Sequence, residues 1–314
     1  FIGSNWEALE TLSVLNSDNR FSIVGVLTQP SKPVGREQIV KSTDIIAYCK
    51  NESIPFYTDK NFKQIEKELD YDLILCKSYG EMIPGWFLKN ALNVHYSLLP
   101  KYRGAVPIQK AIIDGEERTG ISIIKMTDKL DSGDILFQRE ERILPTDTNI
   151  TLRKRLVKIS GKVLPEVILD WESKKIVPIK QDESKATYCY KDDVSKEKAF
   201  IDFRRVDPYL TERMVRALLP WPVAWCKLPG DIPDNRKRMR IFASNILDLD
   251  EESTLFSTLK EENLIKNLPG NYIKYKSRLF IESIVPNVLF EPTDIQIEGK
   301  RRMHVSEAIN GIRV

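Results

Sequence analysis

Apolar residues recur at helical spacing near the start of the chain. Trp6, Leu9, Leu12 and Leu15 fall on one helix face, and Ser4 stands where an N-cap belongs. Next comes an apolar run rich in β-branched residues, Phe21 to Leu27, which ends at Gln29-Pro30 and reads as a buried strand. Residues 31–42 are polar with Pro33 and Gly35, a loop, and Asp44 to Lys50 has a helical pattern. Further strands are predicted at Asp72 to Cys76, Ala91 to Tyr96, Gly120 to Met126 and Asp134 to Gln138. Helical segments separate the early strands. That alternation predicts an α/β domain with a mostly parallel, Rossmann-like sheet.

A long helix is predicted from Asn149 to Lys174, with Leu152, Leu156, Ile159, Leu164, Val167 and Ile168 on one face. Pro178 to Asp193 is polar and lacks periodicity, as a linker does. Beyond Lys196 a helix from Asp207 to Leu219 precedes Pro220-Trp221-Pro222. Short apolar runs follow at Val223 to Leu228, Arg238 to Ala243, Tyr272 to Tyr275, Leu279 to Val285 and Thr293 to Ile297. Short strands with turn signals predict a small barrel or sandwich, and the form expected is a smaller OB-like β-barrel. The expected organisation is a first domain over 1–177, a linker over 178–195 and a second domain over 196–314. Trp221 and Trp225, beside Pro220, Pro222 and Val223, read as core residues.

The length of 314 residues fits two domains, and the net charge of +3 means that any nucleic-acid surface is a local patch. No apolar run approaches the roughly 18 residues needed to span a bilayer, so no membrane partner is expected. The two histidines, His95 and His304, exclude a histidine-rich metal cluster. None of the four cysteines (Cys49, Cys76, Cys189, Cys226) sits in a C-x-x-C pair, and free thiols in a reducing compartment are expected. The chain opens Phe1-Ile2-Gly3-Ser4, the end of a strand and a helix cap without an initiator Met, so residues before Phe1 are expected.

The densest chemistry lies between Asn93 and Pro107. Side chains two apart on a strand share a face, so Asn93, His95 and, if the strand runs that far, Ser97 point the same way. They do so at the carboxyl end of a parallel strand, where open α/β sheets bind ligands. An amide can donate to a developing oxyanion, and an imidazole can donate or carry a proton. Leu130-Asp-Ser-Gly-Asp134 can set Asp131 beside that sheet end, as the third group that orients His95. A lone histidine also reads as a hydrogen-bonded core residue, and Asp before Ser-Gly as a turn with an Asx-type backbone bond. Spacing alone leaves both open.

Asn93-x-His95-x-Ser97-Leu-Leu-Pro100, with Tyr102-Arg-Gly-Ala105 and Pro107-Ile-Gln109, resembles the signature of the folate-dependent formyltransferases. Leu130-Asp131-Ser-Gly-Asp134 resembles the family's L-D-T-G-D segment. Thr28-Gln-Pro, with Pro33 and Gly35-Arg36, resembles its T-Q-P-D-R-P-A-G-R loop. Ser78-Tyr79-Gly80, with Met82-Ile83-Pro84, resembles its A-Y-G-x-I-L-P loop. In the second half, Ala186-Thr-Tyr188, Ile201-Asp202, Val215-Arg216-Ala217, Pro220-Trp221-Pro222 and Gly299-Lys300 with Met303 resemble a C-terminal domain carried with that signature. Two segments depart from the pattern: Phe1-Ile-Gly-Ser-Asn5 replaces F-G-T-P, and Glu37 to Lys41 replaces a lysine-rich stretch.

The resemblance implies transfer of a formyl group from 10-formyltetrahydrofolate to an amine, without metal or covalent enzyme intermediate. Asn93 and His95 stabilise the oxyanion and Asp131 orients His95. Ser97, Leu98, Leu99 and Pro100 contact the folate, and Ser78, Tyr79, Gly80, Met82 and Ile83 wall its pterin. The acceptor implied is initiator Met-tRNA, with the protein a monomer of the bacterial cytoplasm or of a mitochondrial matrix. RNA contacts are expected from Arg36, Lys41, Arg236, Lys237 and Arg238, and from Lys274 and Lys276, read with Arg278 as one face of a strand. An amino sugar nucleotide acceptor is the first alternative, and a non-catalytic tRNA-binding protein on the same scaffold the second.

Overall fold

The computed structural model describes residues 1–31, 33–34, 39–40, 43–58, 61–229, 237–250 and 253–312. It divides into two compact units. The first comprises 1–107, 118–142 and 153–189, and the second 108–117, 143–152 and 190–314.

The first unit carries strands β1 (Ile2–Gly3), β2 (Val26–Leu27), β3 (Pro33–Val34), β4 (Ile39–Val40), β5 (Phe56–Tyr57), β6 (Ile74–Lys77), β7 (Ala91–His95), β8 (Arg103–Gly104), β9 (Arg118–Lys125), β10 (Ile135–Arg142) and β11 (Tyr188–Cys189). Seven of them form one sheet in the order β10-β9-β7-β6-β1-β2-β5. The five from β7 to β5 are parallel, while β9 runs antiparallel to β7 and β10 to β9. The connections carry α1 (Trp6–Asn16), α2 (Asp44–Asn51) and α3 (Phe62–Glu68). This is the expected Rossmann-like arrangement, and the carboxyl ends of β1, β2, β6 and β7 share one edge. Ala8, Leu12, Val26 and Ile45 fill one side of the sheet, and Ile2, Ile65, Cys76 and Phe87 fill another apolar cluster.

The strand expected over Phe21 to Leu27 shortens to Val26–Leu27. The cap of α1 is Asn5, whose Oδ1 accepts from the Glu7 and Ala8 amides at 3.1 Å. Ser4 instead turns its hydroxyl to the Gln29 amide at 3.0 Å and ties the loops after β1 and β2 together.

Lys77, at the carboxyl end of β6, is fully buried. Its Nζ donates to Thr11 Oγ1 at 2.6 Å and Ser160 Oγ at 2.8 Å, and it lies 5.3 Å from the Tyr96 ring centroid. Burial pulls its pKa from 10.5 down to about 7, against the opposing pull of Glu7 and Glu10. Between these values the unfolded chain binds the proton and the folded one does not, so stability rises with pH through that window. Below about pH 7 both states hold the proton and the full desolvation penalty applies. Lys77→Met removes this rise, as read in urea midpoints of the two proteins across that pH range. The substitution strands no hydroxyl, because Thr11 also donates to Glu7 O and Ser160 to Val157 O.

Helices α4 (Pro107–Asp114) and α5 (Asn149–Glu172) have residues in both units. The stretch expected as a linker carries β11, which pairs in parallel with β8, and Ile179 bridges to Ile135.

The second unit holds α6 (Pro208–Ala217), β12 (Trp225–Lys227), β13 (Arg238–Asp248), α7 (Thr254–Glu261), β14 (Tyr272–Tyr275), β15 (Arg278–Glu282), β16 (Val288–Ile297), β17 (Met303–His304) and α8 (Val305–Ala308). Its antiparallel order is β12-β13-β16-β15-β14, with β17 on β16. Where a closed OB-like barrel was expected, the ladder stays open between β12 and β14 among the described residues. Both end strands are short, three and four residues. Phe256, Leu259, Ile273, Phe280 and Leu289 form the core. Among the described residues no helix is long and apolar enough to cross a membrane.

Candidate active site

Asn93 and His95 stand on one face at the end of β7, as the period-two argument requires. The loop after β9 brings Asp131 to them. Asn93 Nδ2 donates to Asp131 Oδ1 at 3.3 Å, and His95 Nδ1 lies 3.6 Å from Asp131 Oδ2. The Gly104 amide donates to the same Oδ2 at 2.9 Å. His95 is buried, and its Nε2 sits 2.8 Å from the Tyr102 carbonyl oxygen. A carbonyl only accepts, so Nε2 carries a hydrogen and Nδ1 is the nitrogen turned to the carboxylate. Asp131 adopts φ +46, a left-handed conformation uncommon outside glycine.

Gly104 explains how its amide reaches the carboxylate. Its φ is +124, and a Cβ there stands 2.1 Å from the Cys189 carbonyl oxygen. Only a glycine lets β8 lie this close to β11.

Ser97 lies past the end of β7 and does not join Asn93 and His95. It is buried and donates to Lys101 O at 2.6 Å. Its own carbonyl accepts from Ser122 Oγ at 2.6 Å, while Ser122 Oγ also accepts from the Leu99 amide. Leu99 packs with Ile124 and Ile135. Within 97–100, then, Ser97 and Leu99 turn inward and set the loop's shape, and Leu98 and Pro100 stay half-buried.

The 78–84 loop leaves the end of β6. Ser78, at φ +51, donates to Glu7 Oε2 at 2.7 Å, and Glu7 is held by Arg153 at 2.6 Å. The Tyr79 carbonyl accepts from Gln29 Nε2 at 2.8 Å, and the Tyr79 side chain is buried. Gly80 is exposed at φ +77, Met82 is 86% exposed, and Ile83 packs on the apolar cluster below. Gly80 and Met82 are thus the members that this loop offers to solvent.

In the second unit Lys237 and Arg238 are exposed. Arg238 is paired across the ladder with Lys227, and Arg240 with Trp225, so all four share a face. The Arg238 guanidinium lies 5.1 Å from a Trp225 ring centroid. Trp225 and Trp221 were both expected in the core, but Trp225 lies half-buried on this cationic face, where it packs on Phe200, and Trp221 is 57% exposed. Lys274, Lys276 and Arg278 do not share a strand face. Tyr275 pairs with Arg278, so Lys276, at φ +53, is in the hairpin turn and Lys274 lies on the face opposite Arg278. Arg278 is engaged by Glu291 at 2.6 Å. Arg36, Lys41 and Arg236 lie outside the described residues.

Sequence reading missed the groups that brace the site: Tyr102 O, the Gly104 amide, Arg103 and Gln181. The Tyr-Arg-Gly-Ala match was the available signal for the first three. Among the described residues no group of three or more His, Cys, Asp or Glu side chains is arranged to hold a metal ion.

The last parallel strand of a Rossmann-like sheet thus brings an amide and an imidazole to a loop carboxylate at its carboxyl end. The chain belongs to the formyltransferase family: the formyl transferase pattern matches residues 2–168, and the formyl transferase C-terminal domain pattern matches 193–313. It is a formyl-transferring enzyme. The methionyl-tRNA formyltransferase of Bacillus velezensis is 31% identical over 323 residues, covering 100% of this chain and 94% of the relative. That of Caldicellulosiruptor saccharolyticus is 31% identical over 329 residues, covering 100% and 96%. Among solved structures, an N-formyltransferase from Helicobacter canadensis, in complex with folinic acid and dTDP-3-aminofucose, shares the fold. Its TM-score is 0.67 at 16% identity, over 93% of this chain and 97% of that one.

Proposed function

We propose that this site transfers the formyl group of 10-formyltetrahydrofolate to the α-amino group of methionyl-initiator tRNA, as a monomer in a bacterial cytoplasm. The carrying observation is that Asn93, His95 and Asp131 meet at the carboxyl end of β7. Their meeting supports chemistry on an acyl carbon. As the amine attacks, negative charge grows on the formyl oxygen, and Asn93 donates to it. One Asn93 N–H is given to Asp131, which orients the amide for that contact. His95 has partners on both ring nitrogens at rest; Nε2 reaches the oxyanion by turning off the Tyr102 carbonyl, as catalytic contacts tighten on substrate binding. Asp131, facing Nδ1, takes part in moving the proton off the attacking amine; as the tetrahedral intermediate collapses, the bond from the formyl carbon to N10 breaks and tetrahydrofolate leaves with that proton on N10.

The donor fits between the 97–100 turn and the 78–84 loop, where Gly80 and Met82 are exposed. The full-length likeness to the methionyl-tRNA formyltransferases supports the tRNA acceptor, as does the cationic face of Lys227, Arg238 and Arg240 around Trp225. The solved sugar N-formyltransferases support an amino sugar nucleotide as the second reading. The deciding assay presents the protein with 10-formyltetrahydrofolate and either Met-tRNA or a dTDP-amino sugar. Formyl-Met-tRNA is the expected product. Formylation of the sugar alone, read by mass spectrometry, rejects the tRNA acceptor.

A further inference from the structure

Building on the formyl-transfer reading, we propose that Arg103 and Gln181 are positioning residues that clamp the Asp131 loop in its working geometry. Gln181 is buried and uses its whole amide. Nε2 donates to the Asp131 carbonyl at 2.8 Å and to the Gly133 carbonyl at 2.7 Å, while Oε1 accepts from Arg103 Nε at 3.1 Å and Nη2 at 2.8 Å.

Arg103 is itself buried, and its outer edge is closed by both Glu183 oxygens at 2.8 and 2.9 Å and by the Tyr188 hydroxyl at 3.3 Å. The Asn93, His95 and Gly104 contacts hold the carboxylate of Asp131, but they leave its peptide unheld. A non-glycine residue at φ +46 persists only where surrounding structure over-determines it. Gln181 supplies that restraint on the backbone side, and Arg103 fixes which way the amide faces, because its N–H groups need the oxygen end. Neither residue touches the reacting atoms. Glutamate at 181 cannot substitute, since its carboxylate meets two carbonyl oxygens with no hydrogen to give.

The test uses the full-length protein, with Gln181→Glu as the isosteric change and Arg103→Lys as a second variant should the first not fold. Steady-state kinetics give the expected split: kcat falls roughly 10- to 100-fold while KM for 10-formyltetrahydrofolate stays within about twofold, since only the geometry of the reacting groups is lost. Amide hydrogen exchange in residues 129–134 accelerates in the same variants. Unchanged kcat in a folded variant overturns the proposal, as does unchanged exchange. If wild type transfers no formyl group to either acceptor, the functional reading fails. The exchange experiment then decides the clamp alone: faster exchange supports it and unchanged exchange overturns it.

Discussion

His95→Ala is expected to lower the rate of formyl-Met-tRNA formation by on the order of 10²- to 10³-fold, and Asn93→Ala by a similar factor. Each removes a donor from the end of β7, where both side chains lean on Asp131. The double variant falls short of the product of the two losses, because groups sharing one partner do not act independently. Single-turnover rates with enzyme in excess over charged tRNA isolate the chemical step. Stability changes little in Asn93→Ala, since the side chain is half-buried. In His95→Ala the Tyr102 carbonyl loses the stronger of its side-chain donors and keeps Cys189 Sγ at 3.4 Å, and a modest drop accompanies the kinetic effect. Transfer at full rate by His95→Ala would place the chemistry elsewhere while leaving the acceptor untouched.

Gly104→Ala is expected to be the most damaging change outside these three residues. The added methyl stands 2.1 Å from the Cys189 carbonyl oxygen, on a backbone at φ +124 that alanine avoids. Either β8 and β11 part or Gly104 changes conformation. Both outcomes move the amide that donates to Asp131 at 2.9 Å. Strain and steric displacement together destabilise by about 3 kcal/mol. The lost charge-assisted bond adds a kinetic defect on the order of 10²-fold. Urea unfolding and transfer assays on the same preparation separate the two. A variant with wild-type midpoint and wild-type rate would mean that the close approach of β8 and β11 is not required.

Much of this molecule was legible from residue pattern. The alternation of side chains along a strand placed Asn93 and His95 on one face, and the apolar runs gave β6, β7 and β9 close to their observed bounds. Asp131, on a loop, was left open by spacing and named by the family resemblance, whereas helix α5 followed from its apolar stripe. These are local properties, fixed by the repeat of a strand or a helix along the chain.

What went unread depends on partners distant in sequence. Residues 179–189 lack periodicity because their work is polar: Gln181, Glu183 and Tyr188 answer to Arg103, about 80 residues earlier, and no repeat encodes that. Lys274, Lys276 and Arg278 alternate as one strand face would, yet the chain turns at Lys276 and sends Arg278 back on the partner strand. The capping role passed from Ser4 to Asn5 because the Ser4 hydroxyl found the Gln29 amide across the sheet edge. Sequence periodicity reports which face of an element meets the core. Which buried donor meets which acceptor is settled only when the fold brings them within 3 Å, because an unpaired polar group in the interior is too unfavourable to leave.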